Sequence, residues 1–317
     1  MLESLIKATR RNMIQIREIL IPTDFAEPPS AALGHAAMLA ERFDARLTML
    51  HVLTEKTAAA QPKFPELDPE RDELEEFAEG EITERFGLAP LQRLRVRREL
   101  RQNAHPGEEI IRFAADHHID LIVAGTHGRS GLSHLIMGSI AEDLMRDAGC
   151  PVLVARTPTA EAVEVMPYLK ILAPVDFSPD SAKALRYAVA LAHLFDAHLQ
   201  VLHVIDVPVY PAHYTINIDL AEQFNQDFTA QSHQEMERLL GEFESRPRRY
   251  QTHVLTGRPY HEIVTFADAN EIDLIVMGTR GLSRLQDFFL GGNTARVIRH
   301  APCPVLAVKL HERDFVQ

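Results

Sequence analysis

An apolar run that stops at a pair of glycines occurs twice in this chain, and that repetition constrains the fold more than any other feature. Asp120-Leu121-Ile122-Val123-Ala124 leads into Gly125-Thr126-His127-Gly128, and after a gap of nine residues Gly138-Ser139 follows. Asp273-Leu274-Ile275-Val276-Met277 leads in the same way into Gly278-Thr279-Arg280-Gly281, and Gly291 arrives after the same gap of nine. Asp120 and Asp273, Gly125 and Gly278, Gly138 and Gly291, and Cys150 and Cys303 are each 153 apart, while Asp24 and Asp176, and His51 and His203, are 152 apart. The chain is therefore a tandem repeat of one domain with a single net insertion between the copies.

At 317 residues each copy is long enough to bury its own core. The spacing places the copies at residues 16–156 and 168–310. Short apolar runs predict opening strands at 16–23 and 169–176, each followed by a helix, at 28–43 and 179–195. Strands at 47–53 and 199–205 share Leu-His-Val. Polar connections lead to acid-rich helices over 68–86 and 220–243, where runs such as Glu73-Leu74-Glu75-Glu76 read as solvated faces. Third strands follow at 93–100 and 250–255, then helices at 106–117 and 259–270. The glycine stretches come next, then helices at 139–147 and 293–300 and last strands at 152–155 and 305–308. This alternation predicts an α/β fold of two doubly wound domains, each a five-stranded parallel sheet with helices on both faces. In such sheets ligands bind beyond the carboxyl ends of the strands, where Asp24, Val52 and Gly125 are expected to converge. Residues 1–15 have no counterpart before the second copy, and no function is assigned to them.

A strand that ends at glycines and resumes as a helix presents backbone N–H groups and the positive end of a helix dipole to an anion. Each glycine stretch therefore reads as a phosphate cradle, the alternative being ordinary turns with Ser139 as a helix cap. A net charge of −12 argues against nucleic acid as a partner, because that needs a basic face. A small anion held by amides remains compatible with it. The two cysteines, Cys150 and Cys303, stand in matching Cys-Pro-Val contexts without metal-ligand spacing and read as buried structural thiols of a reducing compartment. No signal-length or membrane-length apolar run occurs, so a cytoplasmic protein without a membrane partner is expected. His51 and His203 read as packed strand histidines. The pair His117-His118 and the separated His193, His198 and His203 lack compact metal spacing, so no metal site is assigned.

Together these residues resemble the universal stress protein family, and within it the tandem two-domain members. The resemblance rests on Ile-Leu-Ile-Pro-Thr-Asp-Phe and Ile-Leu-Ala-Pro-Val-Asp-Phe-Ser opening the copies, and on Leu-His-Val, Asp-Leu-Ile-Val and Cys-Pro-Val in each. The glycine pattern resembles that of the ATP-binding branch. The resemblance implies ATP or another adenine nucleotide, with or without Mg, in each intact domain. In the first copy it implies a site at Pro22, Thr23, Asp24, Val52, Ala124, Gly125, Gly128, Gly138, Ser139 and Ile140, with Asp24 on the ribose, backbone around Val52 and Ala124 at the adenine, and Gly125, Gly128, Gly138 and Ser139 on the phosphates. The matching positions are Asp176, Val204, Met277, Gly278, Gly281, Gly291, Gly292 and Asn293. Gly292 replaces Ser139, a departure for which Asn293 and Thr294 are candidate substitutes. Pairing through the apolar last strands, as is common in the family, implies an internal pseudo-dimer. It leaves open a further homodimer and the identity of any protein partner.

Phosphoryl transfer needs positioned charge on the γ-phosphate, usually a lysine and a carboxylate-held metal. Neither glycine stretch contains a lysine; His127, Arg129, His134, Arg280 and Arg284 are its cations. The expected function is a nucleotide-binding stress-response or signalling module, the alternative being a slow ATP hydrolase or phosphotransferase.

Overall fold

The computed structural model describes residues 15–23, 31–54, 94–125, 138–155, 167–206, 218–243, 246–281 and 291–315. Two compact units emerge: one runs to Pro167 and also takes in His311–Phe315, and the other is Tyr168–Leu310. The first contains β1 (Glu18–Pro22), α1 (Ala31–Phe43), β2 (Arg46–Leu53), β3 (Arg95–Gln102), α2 (Pro106–Asp116), β4 (Leu121–Gly125), α3 (Ser139–Asp147) and β5 (Val152–Ala155). The second contains β6 (Lys170–Val175), α4 (Pro179–Phe195), β7 (His198–Ile205), α5 (Ile218–Gly241), β8 (Tyr250–Thr256), α6 (Pro259–Ala269), β9 (Leu274–Gly278), α7 (Gly292–His300) and β10 (Val305–Val308). The expected helix over 68–86 lies outside the described residues, as does the expected start of the helix at 28–43. The other expected elements stand within two residues of their predicted bounds.

Both units are the predicted five-stranded parallel sheet, in the orders β3-β2-β1-β4-β5 and β8-β7-β6-β9-β10. Covered on both faces, the inner strands β4 and β9 need no polar alternation, which is why they read as unbroken apolar runs. The outer strands β3 and β8 are half-exposed. In β3, Arg97 and Arg101 both pair with Glu99 and lie over the ring of Phe113, so the edge presents charge where an apolar strand would invite unwanted pairing. In each unit the chain builds outward from its first strand and then returns to that strand's other side. The order therefore reverses between β1 and β4 and between β6 and β9, the topological switch points at which such sheets bind ligands.

The repeat extends to backbone details. Asp44 and Asp196, and His118 and Glu271, hold φ between 51° and 54° at equivalent helix ends. Asp120 Oδ2 accepts the N–H groups of Arg17 (2.8 Å) and Glu18 (3.1 Å), and Asp273 Oδ2 accepts those of Leu169 and Lys170 (both 2.8 Å). These carboxylates join the starts of adjacent strands at the end of the sheet away from the glycines. One feature has no counterpart among the described residues of the second unit. Arg313 donates its N–H to the Gly149 carbonyl (2.8 Å) and its guanidinium to the His118 carbonyl (2.6 Å), and lies 3.5 Å from Asp120 Oδ1. Phe315 is buried, and its carbonyl accepts the Gln15 N–H at 2.8 Å. Residues 311–315 thus complete the base of the first sheet.

Candidate functional site

In the second unit the site starts where β6 ends. Asp176 is followed by Phe177, whose φ of 63° is a left-handed conformation that a bulky residue keeps only when its surroundings enforce it. Its ring packs on the His203 imidazole with centroids 4.5 Å apart. Ser178 donates its N–H (3.1 Å) and its hydroxyl (2.5 Å) to Asp176 Oδ1, and its hydroxyl oxygen caps α4 by accepting the Ser181 N–H (3.2 Å). One serine thus starts the helix and aims the carboxylate. His203 Nδ1 lies 2.8 Å from the Val175 carbonyl, and because a carbonyl can only accept, that nitrogen carries the proton. His51 Nδ1 meets the Thr23 carbonyl in the same way at 2.6 Å. Both histidines are packed strand residues, as expected. Each also clamps the strand end from which the aspartate departs.

The glycines are explained by what surrounds them. A Cβ on Gly281 would lie 2.5 Å from Asp176 Oδ2, and one on Gly278 would lie 2.9 Å from the Asp180 carbonyl carbon. Only glycine lets this loop close on Asp176 and on the first turn of α4. Gly291 caps α7 and donates its N–H to the Thr279 carbonyl at 2.9 Å, while the Thr294 hydroxyl donates to the Gly278 carbonyl at 2.9 Å. Thr294, a candidate substitute for the missing serine hydroxyl, is therefore buried and engaged with the loop's own backbone. Gly292 opens α7 with nothing within 4 Å of its Cβ direction, and Asn293 is exposed beside it. Gly281 thus meets Asp176, Gly278 meets the first turn of α4, and Gly291 meets Thr279 at the start of α7. The pairing of β6 with β7 ends at Val175↔His203, with Val204 the next residue of β7, and Met277 is buried one residue before Gly278.

In the first unit Pro22 ends β1, and Thr23 donates its N–H to the Leu50 carbonyl at 2.9 Å. Val52 and Ala124 are buried at the carboxyl ends of β2 and β4, and Gly125 ends β4. Gly138 caps α3, which leaves Ser139 as the first helical residue, exposed, with Ile140 exposed after it. The capping alternative for Ser139 is thus overturned. Asp24 and Gly128 lie outside the described residues.

Sequence reasoning missed Ser178, Phe177 and the histidine clamps. The signal for Ser178 was present, since Asp-x-Ser-Pro is a helix-start pattern whose serine can also turn toward the aspartate. Both cysteines are buried, and burial pushes the Cys303 thiol up to about 12, which suits packing and disfavours a thiolate.

The model of the universal stress protein family matches residues 15–156 and again residues 167–309. The chain belongs to the universal stress protein family. Two universal stress proteins of Methanocaldococcus jannaschii are similar to it: one is 33% identical over 145 residues, spanning 46% of this chain and 85% of its own, and the other is 30% identical over 159 residues, spanning 45% and 96%. Each of these relatives matches about one copy. The crystal structure of a universal stress protein from Archaeoglobus fulgidus covers 94% of this chain and 97% of its own, with a TM-score of 0.59 at 20% identity. A protein of Pseudomonas aeruginosa described as functionally unknown covers 93% and 92%, with a TM-score of 0.66 at 19% identity. At such identities these two structures speak for the tandem fold alone. Among the described residues of this universal stress protein, no helix is long and apolar enough to cross a membrane.

Proposed function

We propose that this universal stress protein binds ATP or a related adenine nucleotide at the two switch points, as a regulatory or signalling module of a cytoplasmic stress response. The observation that carries the reading is the meeting of Gly281 with the Asp176 carboxylate, which joins a glycine loop and a fixed acceptor in one crevice. Asp24 and Asp176 hold the ribose hydroxyls, and backbone near Val52, Ala124, Val204 and Met277 borders the base. Gly125, Gly128, Gly138 and Ser139, with Gly278, Gly281, Gly291 and Gly292, border the phosphates. Backbone N–H groups and the dipoles of α3 and α7 supply the positive potential there. Magnesium, when present, would neutralise phosphate charge. Without a lysine in either loop, any turnover falls below the roughly 1 per second at the low end of kinase rates.

Mass spectrometry of small molecules released from freshly purified, denatured protein tests the reading, together with calorimetric titration of adenine nucleotides. An adenine compound near stoichiometric amounts, whose binding is lost in the double variant Asp24→Ala, Asp176→Ala, is expected. Neither a co-purifying adenine compound nor measurable binding at millimolar nucleotide would overturn it. Hydrolysis at kinase-like rates, abolished by Asp24→Ala, would favour the hydrolase alternative.

A further inference from the structure

We infer that the second-copy site prefers an adenine nucleoside or its monophosphate to the triphosphate; this rests on the nucleotide reading of that site and specifies its ligand class. The nucleoside end is the better built. Asp176 Oδ1 takes two donors from Ser178, at 3.1 Å and 2.5 Å, which orients the carboxylate as an acceptor for sugar hydroxyls. The first copy has Ala26 in place of Ser178 and Pro29 in place of Ser181, so these two positions carry no hydroxyl there.

The phosphate end has been turned to internal use. The Gly291 N–H, at the cap of α7, is engaged with the Thr279 carbonyl at 2.9 Å, and the buried Thr294 hydroxyl with the Gly278 carbonyl at 2.9 Å. Gly292 brings no hydroxyl where the first copy has Ser139. Charge points the same way. Asp180, only 8% exposed, sits in the first turn of α4 with its Cβ and backbone against Gly278. A carboxylate beside the loop opposes each added phosphate charge. Arg280 lies in the same loop, but it is exposed and its charge is screened by solvent.

The test is calorimetric titration of the full chain with adenosine, AMP, ADP and ATP, in the wild type, Asp176→Ala and Gly292→Ser. Gly292→Ser is sterically open, since nothing lies within 4 Å of the added Cβ. In the wild type one class of sites should bind adenosine or AMP at least as tightly as ATP, and Asp176→Ala should weaken that class about tenfold or more. Gly292→Ser should strengthen ATP at that class about tenfold while leaving adenosine unchanged. If Asp176→Ala instead removes a site that binds ATP at least about tenfold more tightly than AMP, or if Gly292→Ser leaves ATP affinity unmoved, this inference falls and the nucleotide reading stands. If none of the four compounds binds the wild type, the nucleotide reading itself falls.

Discussion

The two copies share a backbone plan and differ in the side chains that face the site. Gly125 and Gly278, His51 and His203, and Asp120 and Asp273 recur because each answers a demand of the fold: an open strand end, a clamp on the opening strand, and a staple between strand starts. Around these the polar groups have been exchanged. Ser139 stands in the first copy against Gly292 in the second, whereas Ser178 and Asp180 stand in the second against Ala26 and Pro28 in the first. Backbone geometry tolerates no such exchange, because Gly281 has no room for a Cβ, while Gly292 has room and has diverged. The comparison teaches that steric demand maintains the shared frame and leaves the chemistry of each site free to specialise.

The largest effect should come from the strand staples, which also tests how far the tail makes the copies unequal. Asp120→Ala removes the acceptor of two backbone N–H groups and the carboxylate facing Arg313, and should cost about 3 kcal/mol of stability. Asp273→Ala removes the two backbone contacts alone and should cost less. Urea unfolding of the two variants checks the ranking, and Arg313→Ala should erase the difference. Equal losses would show that the tail adds nothing to the first copy.

Gly281→Val sharpens the comparison at the site. Its Cβ would lie 2.5 Å from Asp176 Oδ2, so the carboxylate must move. Overpacking of about 1–3 kcal/mol predicts a loss of about tenfold to a hundredfold in adenine-ligand affinity at the second site. The first site should keep its affinity, which titration reads as one class of sites weakened and one unchanged.

A smaller change is expected from Ser139→Gly, which makes the first copy resemble the second. Loss of one hydroxyl donor to a charged phosphate should weaken ATP about tenfold and leave adenosine unaffected. Equal weakening of both ligands would place Ser139 outside the phosphate contact.

The last difference is silent at neutral pH. His35 of α1 occupies the position of Tyr187 in α4, and burial lowers its pKa from 6.5 to about 4. The unfolded chain binds this proton more readily than the folded one, so stability rises with pH through this window and is lost as pH falls from about 6.5 toward 4. His35→Phe should flatten that part of the dependence in thermal melts recorded across the window, and an unchanged slope would remove His35 as its cause.

Much of the architecture was legible because it depends on short-range patterns. The last strands at 152–155 and 305–308, and the helix at 139–147, have the bounds that apolar runs and glycine spacing predicted. The site was legible only in part. Asp176 and the glycines could be named from the repeat, but the partner of each could not. Thr294 was an open candidate for phosphate, and its hydroxyl turns to Gly278, sixteen residues away.

What the sequence determined by itself was therefore the repeat, the alternation of strand and helix, and the positions where glycine is required, since periodicity and steric need are written locally in the chain. Tertiary structure decided which carboxylate oxygen faces which glycine and which hydroxyl is already engaged. It also decided that Arg313 reaches the His118 carbonyl across 195 residues. Such contacts depend on strand register and on the packing of distant segments, and no local pattern encodes the angle at which two distant side chains meet.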